Sequence, residues 1–291
     1  MKKEIFGVVP PMVTPFTQDG EIDEQALRAD VRYLIEEAGV HGLAVGGSTG
    51  EGHTLTTNEI RQVVAAACDE AAGRVPVIAG IIVDSTRQAI ERANAVADLD
   101  VAALQITPVH YLFKPTDEAT YNHFATLADA VSIPIIIYNV VPWVYLAPDL
   151  LNKIITEIDG VIGVKQSAGD LKTMADLMIL LDGKGLVMAA TDALLYPAYT
   201  LQAHGSIAAI LQAAPKLSVQ LWDAVQAGDH VSALQLHKKL LGIWNAIEGD
   251  NLPANVKTAM ALQGRDGGYP RQPMPVSSAD QKAAIEKALN G

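Results

Sequence analysis

The decapeptide VIGVKQSAGD, residues 161–170, decides how this chain is read. Val161, Ile162, Gly163 and Val164 form an apolar, β-rich run, and Ser167, Ala168, Gly169 and Asp170 have the composition of a turn into a helix at residues 171–181. Lys165 therefore falls at the C-terminal end of a strand. A strand apolar at every position is covered on both faces, as in parallel sheets with helices outside. A lysine at such a place either snorkels to the rim or has a task that needs a desolvated amine.

On both sides of this stretch, strand-like runs alternate with amphipathic helical runs. Residues 6–13 (FGVVPPMV) precede a helix at 23–37, and residues 41–46 (HGLAVG) one at 58–72. Residues 75–83 (VPVIAGIIV) lead to a helix at 85–97, and residues 101–107 (VAALQIT) to one at 117–130. Residues 134–140 (PIIIYNV) are followed by a helix from Pro148, and residues 161–167 by their own helix. Residues 185–190 (GLVMAA) and 205–210 (GSIAAI) complete eight strand–helix units. Eight units with short connections and no central linker predict an α/β fold, a closed (β/α)8 TIM barrel rather than a doubly wound sheet. Helical runs at 216–227, 230–248, 252–262 and 279–289 are too many for one barrel helix. Residues 1–214 read as the barrel core, and 215–291 as its last helix plus a C-terminal helical extension packed on the barrel within the same domain.

Composition sets outer bounds. The 291 residues, 49% of them hydrophobic, suit one barrel of roughly 250 residues with additions. A net charge of −12 argues against a nucleic-acid partner, which would need a basic surface. The single cysteine, Cys68, sits in a helical run (VVAAACDEAA) and reads as a small core residue, with neither a disulfide framework nor a thiolate metal site. MKKEIFGVVPP lacks the apolar stretch of a signal peptide, and no run approaches the ~18 apolar residues of a membrane span. The expectation is a cytoplasmic protein with no membrane partner. His41 and His53 have no partner at metal-ligand spacing, so neither a catalytic metal nor another cofactor is expected. Glu51 and Asp192, near predicted strand ends, read as solvated or capping residues.

In such barrels the active site is built from strand C-termini and the loops after them. After the second strand stands GGSTGEG, residues 46–52. It has neither the Walker ending nor dinucleotide-site spacing, but its amides and the Ser48 and Thr49 hydroxyls can bind a carboxylate as a backbone nest does; an ordinary glycine-rich turn is the alternative. After the fifth strand stands YNVVPW, residues 138–143, with Tyr138 at a height comparable to Lys165. Neighbouring strands lie about 4.8 Å apart, so Tyr138 is either a core tyrosine or a phenol close to the lysine nitrogen. Lysine beside tyrosine points to Schiff-base catalysis. A free lysine titrates near about 10.4, leaving roughly one amine in 2,500 neutral at pH 7, and burial favours the neutral form that attacks a carbonyl. The phenol can then carry protons.

GGSTGE after strand two, YNVVP after strand five, GVKQSAGD at strand six and GSIAAI at strand eight together resemble the dihydrodipicolinate synthase and N-acetylneuraminate lyase family, over the whole chain. The resemblance implies that Lys165 forms an imine with pyruvate or another 2-oxo acid and that Tyr138 is the acid/base. It implies that Ser48 and Thr49 bind the 2-oxo acid carboxylate and relay protons, that the Ile207 carbonyl faces the substrate, and that the partner is a second copy, in a homotetramer built as a dimer of dimers. Two departures matter. Where the synthases typically carry an arginine that clamps the carboxylate of aspartate semialdehyde, five residues after the tyrosine, this chain has Trp143, and an indole lacks the guanidinium's donor fork. The loop TPVHYLFKP, residues 107–115, is longer than the family's usual one; Tyr111 is the counterpart of a tyrosine that reaches across a subunit interface, and His110 is a loop residue or a substrate contact. Tyr111 and Trp143 thus join the expected substrate-binding set. The expected activity is that of a class I lyase that makes or cleaves a carbon–carbon bond beside a pyruvate-type imine, other than a true dihydrodipicolinate synthase. Dehydration or deamination of a longer 2-oxo acid, such as a 2-keto-3-deoxy sugar acid, is a second reading. A non-catalytic keto-acid-binding barrel is a third, opposed by the presence of both Lys165 and Tyr138.

Overall fold

Apolar strands, each buried on both faces, line up in parallel in a computed structural model that describes residues 4–168 and 170–291. Met1 to Lys3 of the N-terminal reading and Gly169 of the expected turn lie outside the described residues. The strands are β1 (Gly7–Val8), β2 (Leu43–Val45), β3 (Val77–Ile81), β4 (Val101–Ile106), β5 (Ile135–Asn139), β6 (Val161–Gln166), β7 (Leu186–Ala189) and β8 (Gly205–Ser206). Their order is β1-β8-β7-β6-β5-β4-β3-β2. Closure between β1 and β2 comes from a short parallel bridge between Pro11 and Ala44, in which Met12 N donates to the Ala44 carbonyl (2.8 Å) and Ala44 N to the Pro10 carbonyl (2.9 Å). This is a (β/α)8 barrel.

Helices α1 (Glu24–Arg32), α2 (Thr57–Ala71), α3 (Thr86–Ala95), α4 (Asp117–Ala130), α5 (Pro148–Glu157), α6 (Leu171–Leu181) and α7 (Leu195–Thr200) surround the sheet. Their starts are written locally. Asp23, Ser85, Thr116 and Asp170 each accept a first-turn amide, Thr56 and Glu59 form a reciprocal capping box, and Pro148 opens α5. A cap of this kind contributes about 1 kcal/mol. After a short α8 (Ala209–Ala213) come α9 (Pro215–Gln226), α10 (His230–Ile247), α11 (Leu252–Leu262) and α12 (Ala279–Leu289). The buried Asp30–Arg265 pair (2.6 Å), with Gln212 on the second Asp30 oxygen (2.6 Å), ties α1 to the chain just after α11.

Three expected elements change. The strand expected over residues 6–13 pairs as a regular ladder only at Gly7–Val8, because Pro10 and Pro11 have no N–H to donate. The strand expected over residues 205–210 ends at Ser206 and turns into α8, where the Ile210 amide is taken by the Asp192 carboxylate (2.7 Å) instead of a ladder. The helix expected over residues 23–37 also divides, its last turn widening into a π-helix at Tyr33–Glu37. The core has two layers. A large one lies between sheet and helices, and a small one, including Val9, Ala44, Ile78, Ala103, Ile136, Met188 and Ile207, fills the barrel interior below the strand ends.

Candidate active site

Alternation along each strand decides which side chains enter the barrel. Ala103 of β4, Ile136 of β5 and Met188 of β7 face the interior, so Tyr138, two residues beyond Ile136, faces it too. Tyr138 and Lys165 are direct register partners across β5 and β6. Both are nearly inaccessible, at 3% and 4% exposure. The Lys165 Nζ lies 3.8 Å from the centroid of the Tyr138 ring, over its face, so the amine meets the π cloud and the phenol oxygen is left for another partner. That partner is Ser48, to whose Oγ the Tyr138 hydroxyl donates at 3.1 Å.

Both strand ends are held from behind. Asn139, fully buried, donates to Gln166 Oε1 (3.0 Å) and accepts from Leu146 N (2.9 Å), tying β5 to β6 and folding the loop after β5 back on itself. The Tyr145 hydroxyl donates to the Ser167 carbonyl (3.1 Å). The turn at residues 46–52 needs close backbone approach. A Cβ on Gly52 would stand 1.8 Å from the Gly46 carbonyl oxygen, and one on Gly80 would stand 2.6 Å from it. Thr14 Oγ1 donates to the Gly50 carbonyl (2.7 Å) and fixes the far side of the turn.

A cavity of about 430 Å³ opens over this pair. Ser48, Thr49, Tyr138, Lys165 and Ile207 all line it, drawn from the loops and ends of four strands. Tyr111 and Trp143 do not. Their side chains are 69% and 64% exposed, and the Trp143 Nε1 donates outside the cavity to the His110 carbonyl (2.9 Å). His110 Nδ1 lies 3.2 Å from the Pro108 carbonyl of its own loop and 3.5 Å from Asp84, in the loop after β3.

The cavity also contains residues that the sequence reading did not place in the site: His53, Ser167, Asp192, and Asp250 and Met274 from the C-terminal part of the chain. Asp192 is the most informative. The residue as a whole is partly buried, but its carboxyl is turned inward, and burial raises it from the ordinary 3.8 to about 6, opposed by the Ile210 amide and by Lys165. Its expected solvated role is therefore corrected, while a capping contact is present. Glu51 is corrected more fully. It is completely buried and paired with Lys257 at 2.7 Å, because α11 returns a cation to it from 206 positions away. Among the described residues no group of three or more His, Cys, Asp or Glu is arranged to hold a metal ion, and no helix is long and apolar enough to cross a membrane. His41, whose Nδ1 accepts the Val8 amide (3.0 Å), is a structural residue.

A (β/α)8 barrel with a cavity at the C-terminal mouth of its strands, and a buried lysine and tyrosine side by side in the cavity wall, belongs to the class of barrel enzymes. Comparison with known proteins narrows this. The profile of the Dihydrodipicolinate synthetase family matches residues 4–291. A 4-hydroxy-tetrahydrodipicolinate synthase from Methanopyrus kandleri is 35% identical over 289 residues, 98% of this chain and 96% of that protein. Among solved structures, dihydrodipicolinate synthase DapA-2 from Bacillus anthracis superposes with a TM-score of 0.94 at 27% identity, covering 99% of both chains. N-acetylneuraminate lyase from Mycoplasma synoviae superposes at 0.88 with 28% identity, covering 98% of this chain and 97% of that one. The chain belongs to the dihydrodipicolinate synthetase family and is a lyase.

Proposed function

We propose that Lys165 attacks the carbonyl of a 2-oxo acid such as pyruvate, and that the resulting imine is used to make or cleave a carbon–carbon bond. The amine adds to the carbonyl carbon, a carbinolamine forms, and water leaves as the C=N bond closes. The imine withdraws electrons from the adjacent carbon, which loses a proton before condensation or accepts the electron pair released in cleavage. Tyr138, linked to Ser48, carries the protons; the Ser48 and Thr49 hydroxyls with their turn amides hold the carboxylate, and the Ile207 carbonyl faces the bound acid. The observation that carries this reading is the Lys165 amine seated on the Tyr138 ring, inside a cavity that Ser48 and Thr49 also line.

The second substrate is read from the distal wall. No arginine is among the residues lining the cavity, while Asp192 and Asp250 are, which supports a neutral, hydroxylated partner over aspartate semialdehyde. The protein is on this reading other than a true dihydrodipicolinate synthase, although its curated relatives carry that name. Dehydration of a longer 2-oxo acid through the same imine is a second reading, favoured by Asp192, whose carboxyl is held near pH 6, where it can donate a proton to a departing hydroxyl. We further propose a cytoplasmic homotetramer, a dimer of dimers, in which the exposed Tyr111, Leu112, Phe113 and Trp143 cluster meets a second copy.

The test is borohydride reduction in the presence of a panel of 2-oxo acids. The peptide containing Lys165 gains the mass of the acid less one oxygen, and Lys165→Ala abolishes the label. Labelling at another lysine, or none with any acid, refutes the reading.

A further inference from the structure

The 46–52 turn is gripped from outside the barrel. Glu51 adopts a left-handed backbone conformation (φ 54°), unfavourable for a residue with a side chain, and its amide donates to the Ser48 carbonyl (3.0 Å), closing the turn. That geometry sends the Glu51 carboxylate away from the cavity, while Ser48 and Thr49 face into it. Both carboxylate oxygens are taken by the C-terminal part of the chain. Oε1 accepts from Lys257 of α11 (2.7 Å), and Oε2 accepts from the Arg271 amide (2.8 Å). Lys257 Nζ also donates to the Tyr269 carbonyl (2.6 Å). The Arg271 guanidinium reaches the Thr54 carbonyl (3.0 Å), just beyond the turn, and Glu59 in the first turn of α2 (2.5 Å). Three residues further on, Met274 lines the cavity.

We infer that Glu51 is a positioning residue: through Lys257 and the Arg271 amide it locks the turn that presents Ser48 and Thr49, so the C-terminal extension sets the affinity of the site for its 2-oxo acid. The pairing is not explained by stability alone. A buried ion pair recovers little more than its own desolvation, and burial already disfavours the Lys257 ammonium with Glu51 opposing that effect. What the pair adds is a fixed location for a strained turn that carries two substrate-facing hydroxyls.

The inference rests on the Schiff-base reading, and the experiment separates the two. The full-length protein, Glu51→Gln, Lys257→Met and Lys257→Arg are titrated with pyruvate and trapped with borohydride. The wild type labels; Glu51→Gln and Lys257→Met raise the half-saturating pyruvate by about tenfold or more while labelling at saturation stays within about threefold, and Lys257→Arg falls between. Half-saturation within about twofold of wild type in folded variants overturns the inference, since a purely structural pair changes stability without changing affinity. The paired variant Glu51→Gln with Lys257→Met leaves no unbalanced buried charge and supplies a folded background if the single variants do not fold; it shows the same rise. If the wild type takes no label from any acid, the Schiff-base reading fails by itself, and amide hydrogen exchange decides the inference. Exchange in residues 46–52 then accelerates in both single variants, and unchanged exchange there overturns it.

Discussion

Replacing Asp192 by Asn converts the desolvated carboxyl beside Lys165 into a neutral group of the same shape. The amide oxygen still accepts the Ile210 N–H, so the turn into α8 keeps its anchor. The wild-type carboxyl titrates at about 6 in the folded protein against an ordinary 3.8, which at ~1.36 kcal/mol per tenfold corresponds to about 3 kcal/mol. Below 3.8 the group is protonated in both states and contributes no difference. As pH rises towards 6 the unfolded chain loses its proton while the folded one keeps it, so wild-type stability falls; above 6 the penalty is complete. Asp192→Asn escapes this loss. For a chain of this size about 3 kcal/mol is roughly 6 °C in midpoint, so thermal unfolding followed by circular dichroism at pH 4, 5, 6 and 7 shows the variant gaining on wild type by about that amount, mostly between pH 4 and 6. A midpoint difference that stays constant over this range, or one that opens in favour of wild type as pH rises, refutes the reasoning. If the carboxyl also acts as a general acid, turnover of a dehydratable 2-oxo acid declines in the wild type above about pH 6 and is flat and low in the variant.

Tyr138→Phe keeps the ring under Lys165 and loses the donor to Ser48; it remains folded and loses roughly 10²–10⁴-fold in turnover, and activity within a few-fold of wild type would make the phenol structural. Asp30→Ala leaves the Arg265 guanidinium buried without its carboxylate, which costs about 3–5 kcal/mol and lowers the thermal midpoint by roughly 6–10 °C; an unchanged midpoint contradicts the pairing seen here. In a coupled assay with pyruvate and aspartate semialdehyde, the missing charge-assisted partner costs on the order of 1.5–3 kcal/mol, or roughly 10–150-fold in affinity, and turnover of ~1–10³ per second at submillimolar substrate defeats that expectation. Trp143→Arg raises this activity if the position is equivalent to the family's arginine; no response means that the loop after β5 has been rebuilt, as the outward-facing indole already indicates.

Local pattern was enough for much of this architecture. Strands buried on both faces read as continuous apolar runs, helices read as amphipathic runs, and their alternation specifies the barrel. Lys165, Tyr138, Ser48 and Thr49 were legible as site candidates because each lies at or just beyond a strand end, where position along the chain is nearly position in space, and Ile207 through the family resemblance alone. Boundaries were less legible where hydrogen-bond partners change identity. Two prolines shorten β1, and a carboxylate that captures the Ile210 amide turns β8 into a helix.

What the sequence by itself determined, then, is the barrel, the direction of its strands and the pairing of Tyr138 with Lys165, because all three follow from periods of two and 3.6 residues repeated along the chain. The burial of Glu51 against Lys257, the desolvation of Asp192, the entry of Asp250 and Met274 into the cavity wall, and the exclusion of Trp143 from it were decided only by the tertiary structure. The physical reason is distance along the chain. No local pattern records which cation comes to rest beside a carboxylate 206 residues earlier, or which loops meet once the barrel has closed and water has been expelled between them.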